Sequence, residues 1–449
     1  MSLRFLSWLA ATVLSLCAVA QQPPPNSLFI RDVTIIDCDG HAPAFGMSVL
    51  ISGEWIAAIA PATQMKAPAN AQTIDGRNKY LIPGLWNMHV HLGAYPDGKA
   101  ALPKFLAEGI TGVRDMGSPL DDILRLRWET RTGTILGPRM VVAGPIIQGP
   151  LPFQMPVFIS VKDITAARDT VNMLQRRGVD FIKVQDAIPE DIYQAVATQA
   201  RIDQMPFVGH IPPTVLPEEA SDAGQRSVEH LGGRFWGVLI GMSLRESELH
   251  AEEVQMYRDI LAAFERKQAP SPSHMRSALT KAIVESYSSQ KADALIDRFR
   301  KNDTWQCPTL VVLHTLWLDT ETKYTPEDLL WADRLLRKET DVVGMMQKAG
   351  IGLLAGTDLP ADSKNGTLQD ELAYLVDAGL TPLQALEAAT CNAAKFLGKL
   401  KEVGSIQTGK AADLVLLNGN PLENIRNTKR IAAVISRGRL VSLNASPHP

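Results

Sequence analysis

Apolar and polar positions along the 449-residue chain follow two rhythms. Residues 28–80 carry the runs SLFIRDVTIID and MSVLISGEWIAAIAP, rich in β-branched residues and broken by the turn pairs Asp39-Gly40 and Ser52-Gly53. The far end has the same texture: ADLVLLNG, then RIAAVISRGRLV with a turn at Arg437-Gly438. These two β pieces, 28–80 and 401–443, are predicted to pair into one small composite β-sandwich, leaving 444–449 as a tail. The middle, 81–400, alternates instead. Strand-like runs recur at 81–93, 111–117, 139–145, 180–186, 206–212, 226–232, 307–315 and 351–358. Helical patterns such as TAARDTVNMLQRRG and PEDIYQAVATQARID lie between most of them. Eight β-α alternations predict an α/β fold, a parallel (β/α)8 TIM-type barrel. The longest interruption, 234–303, reads as a helical insertion between the sixth and seventh strands, either a lid or extra packing, with the lid slightly favoured.

The first twenty residues stand apart from both rhythms. Arg4, the apolar run FLSWLAATVLSLCAVA and the A-x-A site Ala18-Val19-Ala20 read as a signal peptide, followed by the Pro-rich linker 21–27. The apolar run is too short for a membrane span. The expectation is an exported protein, periplasmic or secreted, with no stable membrane span after cleavage. A lipoprotein reading through Cys17 is weakened by the bulk of Leu16. A net charge of −3 offers no basic stripe, so nucleic acid is not an expected partner, whereas a small molecule or short peptide is. Cys38, Cys307 and Cys391 are too few and too widely spaced for a disulfide framework and read as buried thiols.

Candidate chemistry concentrates at the ends of the strand-like runs. In LIPGLWNMHVHLG, alternation would put Asn87, His89 and His91 on one face and Trp86, Met88 and Val90 on the other. An isolated HxH is about as readily a core pair as a metal site. In a parallel barrel, however, the C-terminal strand ends converge. Reading each run to its end yields His89 and His91, Lys183, His210, His230 and Asp358. Singly, each has a structural explanation: an ion pair for Lys183, a loop contact for His210, a helix N-cap for Asp358. Together they would bury charge without obvious partners, a cost that divalent metals remove.

This pattern, HxH on the first strand, Lys on the fourth, His on the fifth and sixth and Asp on the eighth, resembles the metal-dependent amidohydrolase superfamily. GITGVRDMGS, GVDFIKVQ, SVEHL, LLAGTD, LTPLQALEAAT and GSIQTGKAADLVLLNGNPLENI look like its imidazolonepropionase-related, prolidase-like branch. The resemblance implies two divalent metal ions per subunit, zinc by the ligand types, bridged by a carbamylated Lys183 (N6-carboxylysine). His89, His91 and Asp358 would hold one ion, and His210 and His230 the other. It implies hydrolysis of an amide in a small peptide-like or N-acyl amino acid substrate, with Asp358 as base and then acid. Opening a cyclic amide, deaminating a ring, or cleaving an ester or lactone are alternatives on the same site. A non-catalytic binding protein is disfavoured, because all six ligands are present.

Secondary candidates are thinner. Arg114 is placed to meet a substrate carboxylate, against a local pair with Asp115. His314, at the end of the seventh run, is an oxyanion donor or a core histidine. Phe153, Phe235 and Trp236 would form an apolar wall. The short loop IIQGPLPFQMP, and Gln369 where relatives often carry histidine, depart from the family pattern. Homo-oligomers are common in the family, but no stretch marks an interface.

Overall fold

The structure is a computed structural model and describes residues 27–93, 98–152, 154–233, 237–267, 273–315, 324–361 and 363–441. The two ends of the chain meet in one eight-stranded mixed sheet. Leu28–Ile35 pairs antiparallel with Ala44–Ser52, which continues to Trp55–Pro61. On its other side Leu28–Ile35 pairs parallel with Gln72–Asp75 and with Tyr80–Pro83. Tyr80–Pro83 then pairs antiparallel with Leu414–Leu417, and Ile431–Ser436 and Arg439–Val441 complete the sheet. Ile30, Val49 and Ile51 share a buried cluster with Leu414, Leu416 and Ile435, so neither end can bury its apolar face without the other.

The run 81–93 is not one strand. Gly84 divides it into Tyr80–Pro83 of the mixed sheet and Leu85–Val90, the first parallel strand. A Cβ at Gly84 would lie 2.0 Å from Thr111 Oγ1, so only glycine lets the chain cross there.

The parallel strands fall into two sheets. Leu85–Val90, Ile110–Asp115 and Arg139–Val142 form one. The other runs Phe158–Ser160, Ile146–Gln148, Ile182–Val184, Phe207–Gly209, Ser227–Glu229 and Trp305–Cys307. The break falls where Gly144 (φ +71°) and Pro145 turn the third strand after Val142. Its continuation, Ile147, pairs with Val184 of the fourth. A bond from Asp180 N to Val142 O (2.8 Å) crosses the break.

The eighth run, 351–358, contributes one bridge, Leu353 to Gln306, rather than a full strand. It divides its backbone bonds between both neighbours: Leu354 N to Gln306 O (2.9 Å), Met88 N to Ala355 O (2.9 Å) and Asp358 N to His89 O (2.9 Å). The seventh run also differs from expectation. Only Trp305–Cys307 is strand, and Leu310–Thr315 is helix. A short apolar run such as LVVL fits either period, and Thr309 (φ +49°) makes the turn.

Trp86, Met88, Val141, Phe181, Val208 and Trp305 pack together in one buried cluster, whereas Val113, Val142, Ile182 and Val228 belong to the larger core shared with the helices. Each such side chain contributes roughly 1.5–3 kcal/mol when fully buried. The helices are locally well specified. Asp163 caps Ile164–Arg177 by accepting from Ala166 N (2.8 Å), and Gly178 ends it in the left-handed region. Between the sixth and seventh strands the described residues form the helices Gly237–Gly241, Glu246–Glu265, Ser273–Ser286 and Ser289–Lys301. Cys38 and Cys307 are buried, and Cys391 is only half-buried. Among the described residues, no helix is long and apolar enough to cross a membrane.

One buried carboxyl gives this fold a pH dependence. Glu371, on the helix Leu368–Asp377, accepts from Val311 N (2.8 Å) at the start of Leu310–Thr315. Burial pushes it up to about 8, while backbone bonds from Val311 and Leu310 pull the other way. A carboxyl that holds its proton more tightly when folded stabilises the fold most at low pH. That contribution declines as pH rises from the ordinary glutamate range through about 8. Glu371→Gln is expected to flatten the decline, so that urea midpoints at pH 6 and pH 9 move closer together than in wild type.

Candidate metal centre

His89 and His91 close on each other through Nε2 atoms 3.3 Å apart. Asp358 joins them: Oδ1 lies 3.3 Å from His91 Nε2 and 3.8 Å from His89 Nε2, and Oδ2 lies 3.5 Å from His230 Nε2. Ring centroids are 4.5 Å apart for His89 and His230, and 5.1 Å for His210 and His230. Lys183 is buried, and its Nζ has no hydrogen-bond partner among the described residues. The six residues singled out from the strand ends therefore share one region, formed by four histidines, one carboxylate and an orphaned amine.

Simple alternation does not produce this cluster. The first strand slips register between Asn87 and Val90, so Met88 and His89 both face inward. Asn87 fixes the irregularity: its Oδ1 accepts from His89 N (3.2 Å) and Thr357 N (3.1 Å), and its Nδ2 donates to Thr357 Oγ1 (2.9 Å). At the sixth strand Glu229 faces inward, so a continued strand would send His230 outward. Instead φ turns to +54° at His230 and +53° at Leu231. Asp358 is left-handed as well, at +53°. Conformations of this kind cost roughly 1–2 kcal/mol per residue for side chains other than glycine. Gly356 permits the close approach of the eighth run, since a Cβ there would lie 2.8 Å from His89 Cβ.

Each histidine has a partner on its Nδ1. His89 Nδ1 meets Glu229 Oε2 at 2.8 Å, His91 Nδ1 meets Gly117 O at 3.1 Å, and His210 Nδ1 meets Asp186 Oδ1 at 2.7 Å. His230 Nδ1 lies 2.5 Å from Thr309 Oγ1, whose own hydroxyl donates to Pro308 O (2.7 Å). All four partners are acceptors, so each Nδ1 carries a proton and Nε2 is the ring atom left for the cluster. A metal takes a histidine in this arrangement, through an unprotonated Nε2 with the outer partner fixing the ring. Burial, followed by the nearby charges of Lys183 and the other histidines, holds His89 well below the ordinary histidine range. Burial and the neighbouring histidines do the same to His230. Burial also lowers Lys183, against the pull of Glu229 and Asp358. Four imidazoles, a buried amine and a carboxylate form a donor set suited, once the rings and the amine are unprotonated, to a borderline divalent cation such as zinc.

Arg114 requires a correction. It is fully buried, with Nε on Met88 O (2.6 Å), Nη1 on Ser227 Oγ (3.0 Å) and Nη2 on both Glu229 oxygens (3.0 and 2.9 Å). It therefore has no free face for a substrate, and its ion-pair partner is Glu229, not Asp115. Asp115 instead accepts from Leu92 N and Ser118 Oγ. His314 is also displaced from its expected strand end. It lies in the helix Leu310–Thr315, bonded to Leu310 O (2.8 Å) and stacked on Tyr374 at 4.1 Å. Among the described residues, its contacts are to Leu310 and Tyr374 and not to the histidine cluster. Phe153, Phe235 and Trp236 lie outside the described residues. Gln369 is buried away from the cluster, donating to Glu108 O (2.6 Å).

Glu229, Asp186 and Thr309 were missed in the sequence. Glu229 was legible in principle, since the residues at 227 and 229 share a face with the inward side of the barrel. Thr309 was not, because its role depends on a left-handed turn. Glu253 reaches this region from the insertion; burial, and then the charge of Asp186, pushes its carboxyl well up. Beside His91, a mainly apolar cavity of about 330 Å³ opens between Leu92, Phe105, Leu359 and Pro360.

The Amidohydrolase family model matches residues 80–441. Among similar sequences, a 5-methylthioadenosine/S-adenosylhomocysteine deaminase of Moorella thermoacetica is 24% identical, covering 88% of this chain and 86% of its own. The ochratoxinase of Aspergillus niger is 23% identical over 80% of this chain and 75% of its own. Among solved structures, a putative prolidase from Bifidobacterium longum superposes with a TM-score of 0.72 at 25% identity, covering 95% of this chain and 96% of its own. A Xaa-Pro dipeptidase with bound methionine gives 0.68 at 20% identity, covering 92% and 99%.

The buried Arg114–Glu229–His89 chain predicts a double loss for Glu229→Gln. Leaving Arg114 unpaired is expected to cost about 3–5 kcal/mol in urea unfolding. Releasing His89 from its fixed tautomer is expected to weaken zinc retention about 10–100-fold in a competitive chelator titration. Burial raises Glu229, but Arg114 and Lys183 outweigh it and hold it below the usual carboxylate range. Its stabilisation is therefore full above that range and is lost as pH falls through the depressed value. The variant should lack this part of the acid limb.

Proposed function

Because the chain belongs to the Amidohydrolase family, a family of metal-dependent hydrolases, we propose that it is a binuclear hydrolase cleaving an amide bond in a small peptide-like or N-acyl amino acid substrate. The proposal includes a closed (β/α)8 barrel carrying a composite β-sandwich, and export through the leader at residues 1–20. The observation that carries the reading is Lys183: a buried amine with no partner among the described residues, in a cluster of four imidazoles whose Nδ1 atoms are all engaged by outer partners. An apolar core does not keep such a group without a use for it.

His89, His91 and Asp358 would hold one ion, His210 and His230 the other, with Lys183 between them as its carbamate. The carbamate forms when the neutral amine nitrogen bonds to the carbon of CO2 and one proton leaves, turning a neutral donor into an anion with two oxygens. Two bound divalent ions would polarise the scissile carbonyl and acidify a water. Asp358 would take the proton from the attacking water and hand it to the departing amine, because an amide nitrogen leaves only when protonated. Its side chain is 28% exposed, so it reaches both the cluster and the mouth. The cavity beside His91 would take an apolar side chain of the substrate, and Arg114 would act only through Glu229 and His89.

Metal content of the purified protein, wild type beside Lys183→Ala with bicarbonate present, tests this. Two metals per chain are expected in the wild type. The variant should lose at least one and hydrolyse N-acyl amino acids and dipeptides about 100-fold more slowly or worse. One metal per chain, unchanged by the substitution, would sink the binuclear reading and turn attention to ring deamination and cyclic amides.

A further inference from the structure

At the opposite end of the parallel strands lies a second cavity, of about 550 Å³. It opens between the helix Leu120–Arg131, the start of the third strand, the turn at Gly178 and the C-terminal strand pair at Arg437. Cations outnumber carboxylates in its lining: Arg127, Arg131, Arg139, Arg177, Lys399 and Arg437 against Asp180 and Glu402, with Asp121, Asp413 and Glu54 just outside it. Three of the cations are already paired. Arg127 Nη1 lies 2.6 Å from Asp180 Oδ2, Arg139 Nε lies 2.5 Å from Asp413 Oδ2, and Arg177 pairs with Asp121.

The other three, Arg131, Lys399 and Arg437, have no carboxylate partner among the described residues. Arg437 is the most constrained. Its backbone is left-handed (φ +50°) and tied to Asp413 Oδ1 (2.7 Å), and its Nε is buried without a hydrogen-bond partner. Burial and the neighbouring Arg139 disfavour its charge, against the pull of Asp413 and Glu54. Cations gathered in this way repel one another unless an anion joins them. The walls between them are apolar, from Trp86, Leu124, Val141 and Val403, and the ring of Trp128, 54% exposed, stands at the rim.

We propose that this cavity binds a small organic phosphate: a dianionic phosphate monoester on a planar or apolar body. Two guanidinium forks and an ammonium without carboxylate partners match a phosphate group in charge and hydrogen-bonding geometry. The volume lies within the range of small-molecule sites and leaves room for a body against the apolar walls. The site is separate from the histidine cluster, because its residues come from the strand starts and the cluster's from the strand ends.

The test is isothermal titration of the metal-loaded protein with adenosine 5′-monophosphate, beside Trp128 fluorescence. Adenosine and inorganic phosphate serve as controls. Expected are one saturable site, inorganic phosphate and adenosine each at least tenfold weaker, and loss of the fluorescence change in Trp128→Phe. The double variant Arg131→Gln/Lys399→Gln should bind at least tenfold more weakly. Neither residue has a carboxylate partner among the described residues, so their loss should leave the unfolding midpoint unchanged, and Arg437→Gln gives an independent reading. Absence of saturable binding, adenosine binding as tightly as its phosphate, or unaltered affinity in the double variant would overturn the proposal.

Discussion

An ionised pair with no access to water, Arg114 and Glu229, sets the conditions for everything around it. Guanidinium and carboxylate are both fully buried, and they meet through two bonds of 2.9 and 3.0 Å. Such a pair stands only if its remaining donors and acceptors are also satisfied. Met88 O and Ser227 Oγ take the rest of Arg114, while Ser227 and His89 take the rest of Glu229. Each of these contacts fixes a neighbouring strand. The carbonyl of Met88 sets the irregular first strand, and Ser227 and Glu229 set the sixth. The His89 ring is the outer end of a charge network in the core, which explains its single orientation.

From that network outward, the site departs from regular backbone at several of its residues, although Lys183 sits within the regular strand Ile182–Val184. His230, Thr309 and Asp358 all have positive φ, and none is glycine. Three local costs of roughly 1–2 kcal/mol are sustained by the surrounding packing. Gly356 has the complementary role, bringing backbone within van der Waals range of His89, where any Cβ would collide. For His230 a regular strand, with Glu229 already facing inward, would have left the ring on the helix side.

These departures also explain what the sequence did and did not reveal. The alternation of runs in 81–400 was legible because a fully buried parallel strand is nearly uniformly apolar and short. The union of both chain ends was legible because neither β segment carries enough apolar surface to stand alone. The register slip at Asn87–Val90 was not, since it rests on a contact to Thr357, 270 residues away. Arg114 was misread for the same reason. Its neighbour in sequence, Asp115, suggested a local pair, but strand alternation sends the two side chains to opposite faces, and its true partner lies 115 positions on. His314 was misplaced because LVVL suits helix and strand equally, and Thr309 turns the chain before it.

The same parallel strands present contrasting electrostatics at their two ends. Between the ends lies an apolar cluster of Trp86, Met88, Phe181, Val208 and Trp305, which water does not enter. In so weakly polar a medium, charge at one end is poorly screened from the other. The strand ends gather imidazoles, a buried amine and a carboxylate, with Lys104 lining the cavity beside them. Of the arginines on the parallel strands, Arg114 is neutralised within the core by Glu229, while Arg139 stands at the far mouth. Burying the parallel strands on both faces leaves their two ends open to polar groups, the histidine cluster at one and the arginine-rich cavity at the other.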